Sequence, residues 1–527
     1  EKEWGNNGKG KDWQDEIFQL GQYQNHQLSI RGGAQKTTYA VSGSIMDQKG
    51  NVINSDLTKM TLRTNLTQQI GGRIKFTLNA NLATSKGNRA TVNSAGVPQD
   101  GATVLNALRM APFVSVYDEN GDYNLVNDFP GNGESGGGQT ITKIGNPVAY
   151  ANRVRNSINS LSGTVNGIIT VNILPGLNWK STLGTTFSRL NTTVYIPTST
   201  YEGSLKGGQS TDNKNTGGNV LTEHTLTYNK KIGGKHQINA VAGFTFQKFN
   251  NSAYNIIARQ YFSDTNNGYD ISNASAISDY SSSLLEASIL SYLGRIHYSC
   301  DSLYVLPLTG RADGSSKFAK GHRWGYFPAV ALAWNINRES FMSRAKWLDE
   351  LKLRASYGVS GNQEIGNFKS IYFLNTGQYQ FNSSEKVVSL YPAQRGNKEL
   401  EWEKTLSYNL GLDFMAFNNR LGLTFEAYYK KTYDMLSEKR IPSSSGYQSV
   451  MVNIGDVENK GIEVSLLSRN IVSRRKGGFY WETRINYAMN RNKILRLGEN
   501  NVDLYVGTSP NHRPSRSTTA LLTVWEP

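Results

Sequence analysis

Apolar and polar residues alternate strictly along residues 402–433, in two adjacent runs. Every second residue is apolar in the first run (408–414) and again in the second (421–429), and Asn418-Asn419 lies between the runs. This pattern predicts an antiparallel hairpin with one apolar and one polar face. Each arm has about ten residues, longer than a typical strand of a soluble protein and long enough for a tilted strand to cross a bilayer. The stretch therefore predicts one unit of a membrane β-barrel.

The same alternation recurs in about sixteen arms along the chain. The arms pair as 25–32 with 36–46, 59–69 with 73–85, 161–173 with 177–189, 220–230 with 236–249, 287–299 with 302–311, 325–336 with 350–358, the two runs of 402–433, and 459–469 with 478–490. We predict an all-β protein, an antiparallel transmembrane β-barrel.

The connections between arms alternate between short turns and long segments. The long segments lie near 47–58, 86–160, 190–219, 250–286, 312–324, 359–401 and 434–458. An outer-membrane barrel places its short turns in the periplasm and its long loops outside the cell, which explains this alternation. One connection of medium length, 337–349, predicts a short helix from Arg338 to Trp347 on the turn side.

Composition supports the barrel. Only 38% of residues are hydrophobic and the mean hydropathy is −0.49, yet aromatics reach 11%. Membrane barrels have this composition because only every second strand residue faces lipid, while aromatic residues gather at the interfaces. No run approaches the 18 apolar residues of a transmembrane helix. The lone cysteine, Cys300, excludes a disulfide framework.

The net charge of +15 raises nucleic acid as a partner. Most basic residues are scattered singly, however, and their densest groups are too short to follow a phosphate backbone. We therefore expect no nucleic-acid partner, and attribute the charge to an anionic outer-leaflet surface or to solubility. The first residues are polar and contain no signal peptide, so we expect the sequence to begin inside a longer precursor.

Candidate catalytic motifs are weak. The six histidines have no HExxH spacing and no serine lies in GxSxG, so we predict no enzyme, no metal and no cofactor. Residues 118–122 (DENGD) resemble the first half of a calcium loop, but Phe129 stands where the bidentate Glu is required, which favours a simple turn. The glycine-rich stretch 131–138 precedes no helix pattern and lacks GK[ST], which argues against phosphate binding.

The long loops carry tyrosines at intervals, and aromatic faces bind the apolar faces of sugars and peptides. We consider these tyrosines candidate ligand-binding residues, although a structural role is the more frequent one for any single tyrosine. They are Tyr195, Tyr201, Tyr254, Tyr261, Tyr269, Tyr280, Tyr372 and Tyr379.

Several motifs carry a family resemblance. They are residues 12–18 with 25–29, 311–318, 323–328, 351–358 with 361–363, 400–403 and 453–461. These motifs resemble the SusC/RagA family of TonB-dependent outer-membrane transporters, over roughly residues 10–497. The signature residues are Arg311, Asp313, Gly314, Ser316, Arg323, Trp324, Tyr326, Pro328 and Trp402. Asp313 to Ser316 are most simply a strand end that turns into a loop, with Asp-Gly in the turn and serines capping free amides. Trp324, Tyr326, Phe327 and Trp334 are most simply expected to serve in an aromatic girdle at the membrane interface and in packing.

The resemblance implies a protein of the Gram-negative outer membrane, from the Bacteroidetes, with a plugged barrel of the 22-stranded class. It further implies a SusD-like surface lipoprotein over the mouth, energy from a TonB complex, contact with outer-membrane lipids, and import of oligosaccharides or peptides. The family's plug domain and TonB box do not appear, and its last strands are not recognisable after residue 498.

We therefore expect a fragment with about 16 of the strands and an incomplete barrel. It divides into a lead-in (1–24), a partial barrel domain (25–497) and an irregular or truncated tail (498–527). Two other functions stay open: a soluble all-β glycan-binding or adhesion protein, and a passive porin. The substrate class is also open, because oligosaccharide and peptide importers share these motifs.

Overall fold

The computed structural model describes residues 10–90, 103–131, 140–265, 268, 270–381, 386–472, 478–496 and 498. Its strands are β1 (Gln22–Ala34), β2 (Thr37–Lys49), β3 (Asp56–Ile70), β4 (Ile74–Asn88), β5 (Val126–Gly131), β6 (Thr140–Gly145), β7 (Arg155–Leu174), β8 (Leu177–Ile196), β9 (Gln209–Ile232), β10 (His236–Tyr261), β11 (Ala274–Cys300), β12 (Tyr304–Ser315), β13 (Trp324–Asn335), β14 (Leu348–Asn362), β15 (Phe373–Gln380), β16 (Lys386–Gln394), β17 (Glu403–Ala416), β18 (Leu421–Tyr433), β19 (Leu436–Arg440), β20 (Ser449–Asn453), β21 (Asp456–Val472) and β22 (Tyr480–Arg496).

Sixteen of the strands belong to one sheet, in the order β1-β2-β3-β4-β7-β8-β9-β10-β11-β12-β13-β14-β17-β18-β21-β22. The other six form three two-stranded hairpins within the long connections: β5-β6, β15-β16 and β19-β20. Each of the sixteen predicted arms lies on one of the sixteen sheet strands, so the predicted fold class is confirmed.

In the described part of the chain, four short helices lie outside the sheet. They are α1 (Trp13–Ile17), α2 (Thr103–Arg109), α3 (Pro147–Arg153) and α4 (Tyr201–Lys206), and brief 3-10 helices occur at Ile271–Asn273, Ile336–Arg338, Ser340–Met342 and Ser443–Ser445. Side-chain caps start three of the α-helices: Asp12, Asn146 and Thr200 each accept a hydrogen bond from a backbone N–H of the first turn. Within the described ranges, no helix is long and apolar enough to cross a membrane.

The predicted helix from Arg338 to Trp347 is wrong. Two separate 3-10 turns occupy this connection, because Glu339 between them has extended backbone dihedrals (φ −69°, ψ 146°). Its carboxylate is held in place, since Oε1 accepts hydrogen bonds from the Tyr304 hydroxyl at 2.7 Å and from Trp334 Nε1 at 3.0 Å.

The connection near 47–58, predicted to be long, is also shorter than expected. Strands β2 and β3 pair as far as Lys49 and Asp56, which leaves six residues, 50–55, between them. Asn54 has a left-handed φ of 56°, and the Ser55 hydroxyl donates to the Val52 carbonyl. Asparagine and serine are residues that stabilise tight turns in this way.

The chain divides into two compact units. The first contains residues 1–227 and 243–290, and the second contains 228–242 and 291–527. A hydrophobic cluster in the first unit joins α1 to α2, α3 and their flanking segments. Its buried members are Trp13, Ile17, Ala107, Met110, Val116, Ile144 and Val148. The Trp13 indole also donates to the Ala111 carbonyl at 3.1 Å, so the segment before β1 is anchored to the long connection between β4 and β7.

In the second unit, the strand register aligns the apolar residues of neighbouring strands on one face. One row across β13, β14, β17 and β18 consists of Val330, Tyr357, Tyr408 and Tyr429. The next row consists of Leu332, Ala355, Leu410 and Ala427. Tyr408 is 47% exposed and Leu410 is 50% exposed, so this apolar face is an outer surface and not a core. The predicted hairpin in 402–433 is confirmed as β17 and β18.

Candidate functional site at the polar face and loop ends of the sheet

The polar face of the second unit carries a three-residue ion network. Arg354 on β14 donates to both carboxylate oxygens of Asp413 on β17, at 2.8 and 2.9 Å, and to Glu426 on β18 at 2.8 Å. The strand register explains how Arg354 reaches Glu426 across β17, because Gly411 lies between these two residues in the same row. A Cβ at Gly411 would lie 2.9 Å from the Arg354 guanidinium carbon, so a larger residue there would require the guanidinium to shift.

The polar face of the first unit carries amides and hydroxyls, together with the cation Arg63, which pairs with Asn81. Asn65, Asn79 and Asn166 form one row across β3, β4 and β7. The next row places Asn81 beside Thr164, which pairs with Thr186 on β8. Amide and hydroxyl side chains both donate and accept hydrogen bonds, as sugar hydroxyls and peptide groups do. Both units thus present a polar face that suits a hydrated solute.

Two of the candidate tyrosines, Tyr195 and Tyr261, lie together at the loop ends of β8 and β10. Their rings meet edge to face at 5.3 Å, with 0% and 7% exposure. The Tyr195 hydroxyl donates to Asp264 Oδ1 at 2.6 Å, and the Thr198 hydroxyl donates to Oδ2 of the same carboxylate at 2.5 Å. Both rings are covered by protein, and the pair ties α4 and its flanking segments to the strand ends.

This cluster shifts the pKa values of its members. Burial, together with the hydrogen bond to Asp264, raises the pKa of Tyr195. Burial would raise the pKa of Asp264, but the hydrogen bonds from Thr198 and Tyr195 outweigh it, and the pKa of this carboxyl is lowered. Asp264 is therefore ionised at neutral pH and acts as an anchor for two hydroxyl groups.

The remaining candidate tyrosines are more accessible. Tyr254 is 37% exposed, its hydroxyl donates to Asp212 at 3.1 Å, and Lys214 Nζ lies 5.7 Å from its ring centroid. Tyr201 begins α4 and is half-buried, whereas Tyr280, Tyr372 and Tyr379 are exposed. Tyr269 lies outside the described residues.

The signature residues of the second unit form a structural cluster at the loop end of β12. Arg311 donates through Nε to both oxygens of Asp313, at 2.8 and 2.9 Å, and through a second nitrogen to the hydroxyl of buried Ser291 at 3.0 Å. Strand β12 ends at Ser315, whose hydroxyl accepts a hydrogen bond from the Lys317 N–H. The serine capping agrees with the prediction, but the predicted Asp-Gly turn is wrong. Asp313 and Gly314 lie inside β12, where they pair with Gly325 and Trp324 of β13, and the turn begins only after Ser315.

Trp402 lies at the centre of a second part of this cluster. Its Nε1 donates to the Arg323 carbonyl at 2.8 Å, and its ring lies 5.5 Å from Phe318 and 5.4 Å from Phe327. Trp402 is 4% exposed, and Phe318 is 1% exposed. Sequence reasoning missed the part played by Phe318, although the residue lies inside the quoted motif 311–318.

Of the four aromatic residues expected in a girdle and in packing, Phe327 has a packing role. Trp324 and Tyr326 are 43% and 69% exposed, whereas Phe327 is 8% exposed. Strand alternation explains the difference, because successive residues of β13 point to opposite faces. A Cβ at Gly325 on β13 or at Gly361 on β14 would overlap the Phe327 ring. The two glycines therefore make room for Phe327 beneath Trp402.

Residues 118–122 form the simple turn that the sequence favours. Tyr117 and Tyr123 pair as an antiparallel bridge, and Asp118 Oδ1 accepts from the N–H groups of Asn120 and Asp122 at 2.9 Å. Most of the glycine-rich stretch 131–138 lies outside the described residues. In the described part of the chain, no three His, Cys, Asp or Glu side chains are grouped as metal ligands.

An exposed apolar face opposite a polar face, in long antiparallel strands, is the arrangement of a membrane barrel, and sequence comparison identifies which kind. The profile of a family described as "TonB dependent receptor-like, beta-barrel" matches residues 102–525. The chain belongs to this family. Its members are outer-membrane proteins that cross the membrane with many strands, and they are receptors and transporters, not enzymes. The soluble all-β alternative is therefore wrong.

Relatives of this TonB-dependent receptor barrel include TonB-dependent receptor P3 of Formosa agariphila, 33% identical over 97% of this chain and 49% of the relative. The TonB-dependent receptor SusC of Bacteroides thetaiotaomicron is 28% identical over 94% of this chain and 49% of the relative. Among solved structures, the RagAB peptide importer in the "open-open" state matches 96% of this chain and 54% of its own, with a TM-score of 0.75 and 25% identity.

These relatives confirm the predicted resemblance to SusC/RagA proteins and the predicted origin in the Bacteroidetes. The chain spans about half the length of the curated relatives that it matches.

Proposed function

We propose that this chain is the barrel portion of an outer-membrane nutrient importer, which moves oligosaccharides or peptides through its interior without changing them chemically. The observation that carries the proposal is the match to the RagAB peptide importer over 96% of this chain. The likeness to SusC over 94% of the chain supports it independently. In contrast, the family match gives no support to a passive porin.

The polar face of the sheet is consistent with this function. A solute that crosses the membrane through a barrel contacts the side chains of the inner face, and these are polar in such barrels. The amide rows of the first unit and the Arg354 network of the second unit provide donors and acceptors for such a solute. We assign initial capture to the exposed candidate tyrosines. Of these, Tyr254 and Tyr280 lie on β10 and β11 and not in loops as predicted, whereas Tyr372 and Tyr379 lie in the connection between β14 and β17.

The partners follow from the relatives. We propose a SusD-like surface lipoprotein at the extracellular mouth and a TonB complex that supplies energy through the N-terminal region of the parent protein. We also retain the division into a lead-in (1–24), a barrel domain (25–497) and a tail (498–527) as a proposal.

Import by cells tests this function. The parent gene is deleted and restored on a plasmid, and uptake of fluorescent oligosaccharides and of fluorescent peptides is measured with and without a protonophore. We expect restored, protonophore-sensitive uptake of one of the two solute classes. Uptake that is unchanged by the deletion for both classes contradicts an importer, and uptake that is insensitive to the protonophore indicates a passive pore.

A further inference from the structure

A cavity of about 800 Å³ lies at the loop end of β3, β4 and β7, with α3 beside it. Strand β3 contributes Asp56, Thr58 and Met60 to its lining. These are alternate residues and therefore share one face of the sheet. Further along β3, the same face carries Leu62 and Leu66. The cavity thus opens on the apolar face of the first unit, just beyond the apolar side chains.

The strand register shows how abruptly this face changes from apolar to charged. Leu62 on β3 pairs with Leu82 on β4, and the next pair on the same face is Met60 with Thr84. One pair further on, Thr58 is opposite Lys86. Such a change marks the level at which the hydrocarbon of a membrane gives way to headgroups. The lining residues Met60 and Thr84 lie at this boundary.

The lining is basic. It contains four cationic side chains against one carboxylate, Asp56; the cations are Lys86, Arg89, Arg153 and Arg155. Asp56 already accepts a hydrogen bond from Asn88 at 3.0 Å. Lys86 and Arg89 form no ion pair with any carboxylate of the described residues. The cations come from two segments more than sixty positions apart in the sequence, so no basic motif is visible there.

The cavity also holds a buried hydroxyl group that lacks a partner. Thr103, at the start of α2, is 1% exposed and lines the cavity. Among the described residues, its Oγ1 has no hydrogen-bond partner. A buried polar atom without a partner is costly unless a ligand or water satisfies it. An anionic oxygen would accept from this hydroxyl and from the cations together.

We propose that this cavity binds a phosphate group of a glycolipid in the outer leaflet of the outer membrane. The acyl chains of the lipid lie along the apolar face that carries Leu62 and Leu82, and the phosphate lies against Lys86 and Arg89. Arg153 is engaged elsewhere, because its Nη1 donates to the Ser199 carbonyl at 2.9 Å and its guanidinium carbon lies 4.7 Å from the Tyr123 ring centroid. A soluble anion gains nothing from the apolar residues next to the cavity, and an imported solute passes along the opposite, polar face. The proposal rests on the proposed orientation, with the long loops outside the cell.

Lipid binding to the purified chain in detergent tests this assignment. The probes are bisphosphorylated lipid A, dephosphorylated lipid A, phosphatidylglycerol and inorganic phosphate, and bound lipid is measured by native mass spectrometry. The double variant Lys86→Gln/Arg89→Gln removes two cations from the cavity. A matched control, Lys36→Gln/Lys235→Gln, removes two exposed lysines from the short turns at the opposite end of the strands.

We expect bisphosphorylated lipid A to bind most tightly, and the cavity variant to weaken this binding roughly tenfold or more, because charge-assisted hydrogen bonds are lost. The turn control should bind as the unmodified chain does. Equal binding by the cavity variant, or equal binding of dephosphorylated lipid A, overturns the proposal. Inorganic phosphate or phosphatidylglycerol that binds as tightly as lipid A overturns the assignment to a glycolipid.

The import assay separates this proposal from the proposed function. The cavity variant should import normally, because Lys86 lies on the apolar face of β4 and Arg89 lies beyond the loop end of that strand. A parent protein that imports neither solute class, while its barrel still binds lipid A through Lys86 and Arg89, contradicts the importer and supports the lipid site. Normal import without any phosphate-dependent lipid binding supports the importer and contradicts the lipid site.

Discussion

Trp402 donates a hydrogen bond from its indole nitrogen to the backbone carbonyl of Arg323, 79 positions earlier in the chain, at 2.8 Å. The indole lies between Phe318 and Phe327 and immediately precedes β17. This one side chain therefore connects the end of a long loop to the segment between β12 and β13.

Shortening Trp402 should destabilise the second unit. Trp402→Ala removes a buried aromatic ring and should cost roughly 3–5 kcal/mol of unfolding free energy, because the site cannot collapse onto the cavity. Trp402→Phe keeps most of the packing and loses the hydrogen bond, which costs about 1 kcal/mol. Thermal unfolding in detergent measures the stability of both Trp402 variants. The control is Tyr326→Ala, a change at an exposed aromatic residue. Equal stability of the Trp402→Ala and Tyr326→Ala variants would show that the cluster does not brace the fold.

Gly361 should tolerate no larger residue while Phe327 is present. A Cβ at Gly361 would overlap the Phe327 ring, which is confined by Trp402. Gly361→Ala should therefore cost roughly 1–3 kcal/mol through overpacking. In a Phe327→Leu background the same change should cost much less, so that the double variant is non-additive. Gly310→Ala is the matched control, because a Cβ there meets nothing within 4 Å. Full additivity at Gly361 and Phe327 would rule out the steric explanation.

The ion network around Arg354 should behave as a unit. Arg354→Gln leaves the carboxylates of Asp413 and Glu426 close together without a cation, and should destabilise the barrel by roughly 1–3 kcal/mol because the site is partly solvated. Adding Asp413→Asn and Glu426→Gln removes the repulsion and should recover most of the loss. Refolding yield and thermal unfolding in detergent are the measurements. A triple variant that is no more stable than Arg354→Gln alone would exclude charge repulsion as the cause.

The Asp264 anchor should weaken in acid. The pKa of Asp264 is lowered in the folded protein, so its contribution to stability is fully present above the unfolded value of about 4 and is lost as the pH falls through the lowered pKa. Asp264→Asn should therefore lower the free energy of local opening of 197–208 at neutral pH by roughly 1–2 kcal/mol. Limited proteolysis within 197–208 should be faster as a result. In strong acid the variant and the unmodified chain should be cleaved alike.

Asp279→Asn, a change at an exposed carboxylate, is the control for this effect. It should leave the proteolysis of 197–208 unchanged at every pH. A difference between Asp264→Asn and the unmodified chain that persists unchanged into strong acid would show that the Asp264 charge is not the stabilising feature.

Features that depend on residues close together in the chain were predictable from the sequence. The period-two alternation in 402–433 determined both strands and their apolar face, because successive residues of a strand point to opposite sides. The left-handed backbone of Asn418 and Asn419, at φ 59° for each, fits a turn that the residue types already indicated. The errors were also local in origin. An extended Glu339 interrupts the predicted helix, and pairing of β2 with β3 shortens the connection predicted at 47–58.

The sequence by itself determined a sheet of sixteen alternating strands, the side of the sheet that is apolar, and the separation of short turns from long connections, except at 47–58. The tertiary structure decided which distant residues meet. Trp402 joins Arg323, Tyr195 and Tyr261 are buried while Tyr280 is exposed, and Lys86 comes to the same cavity as Arg155. The physical reason is that alternation depends on the geometry of one strand, whereas burial and charge clustering depend on strand register and on which segments cover the strand ends.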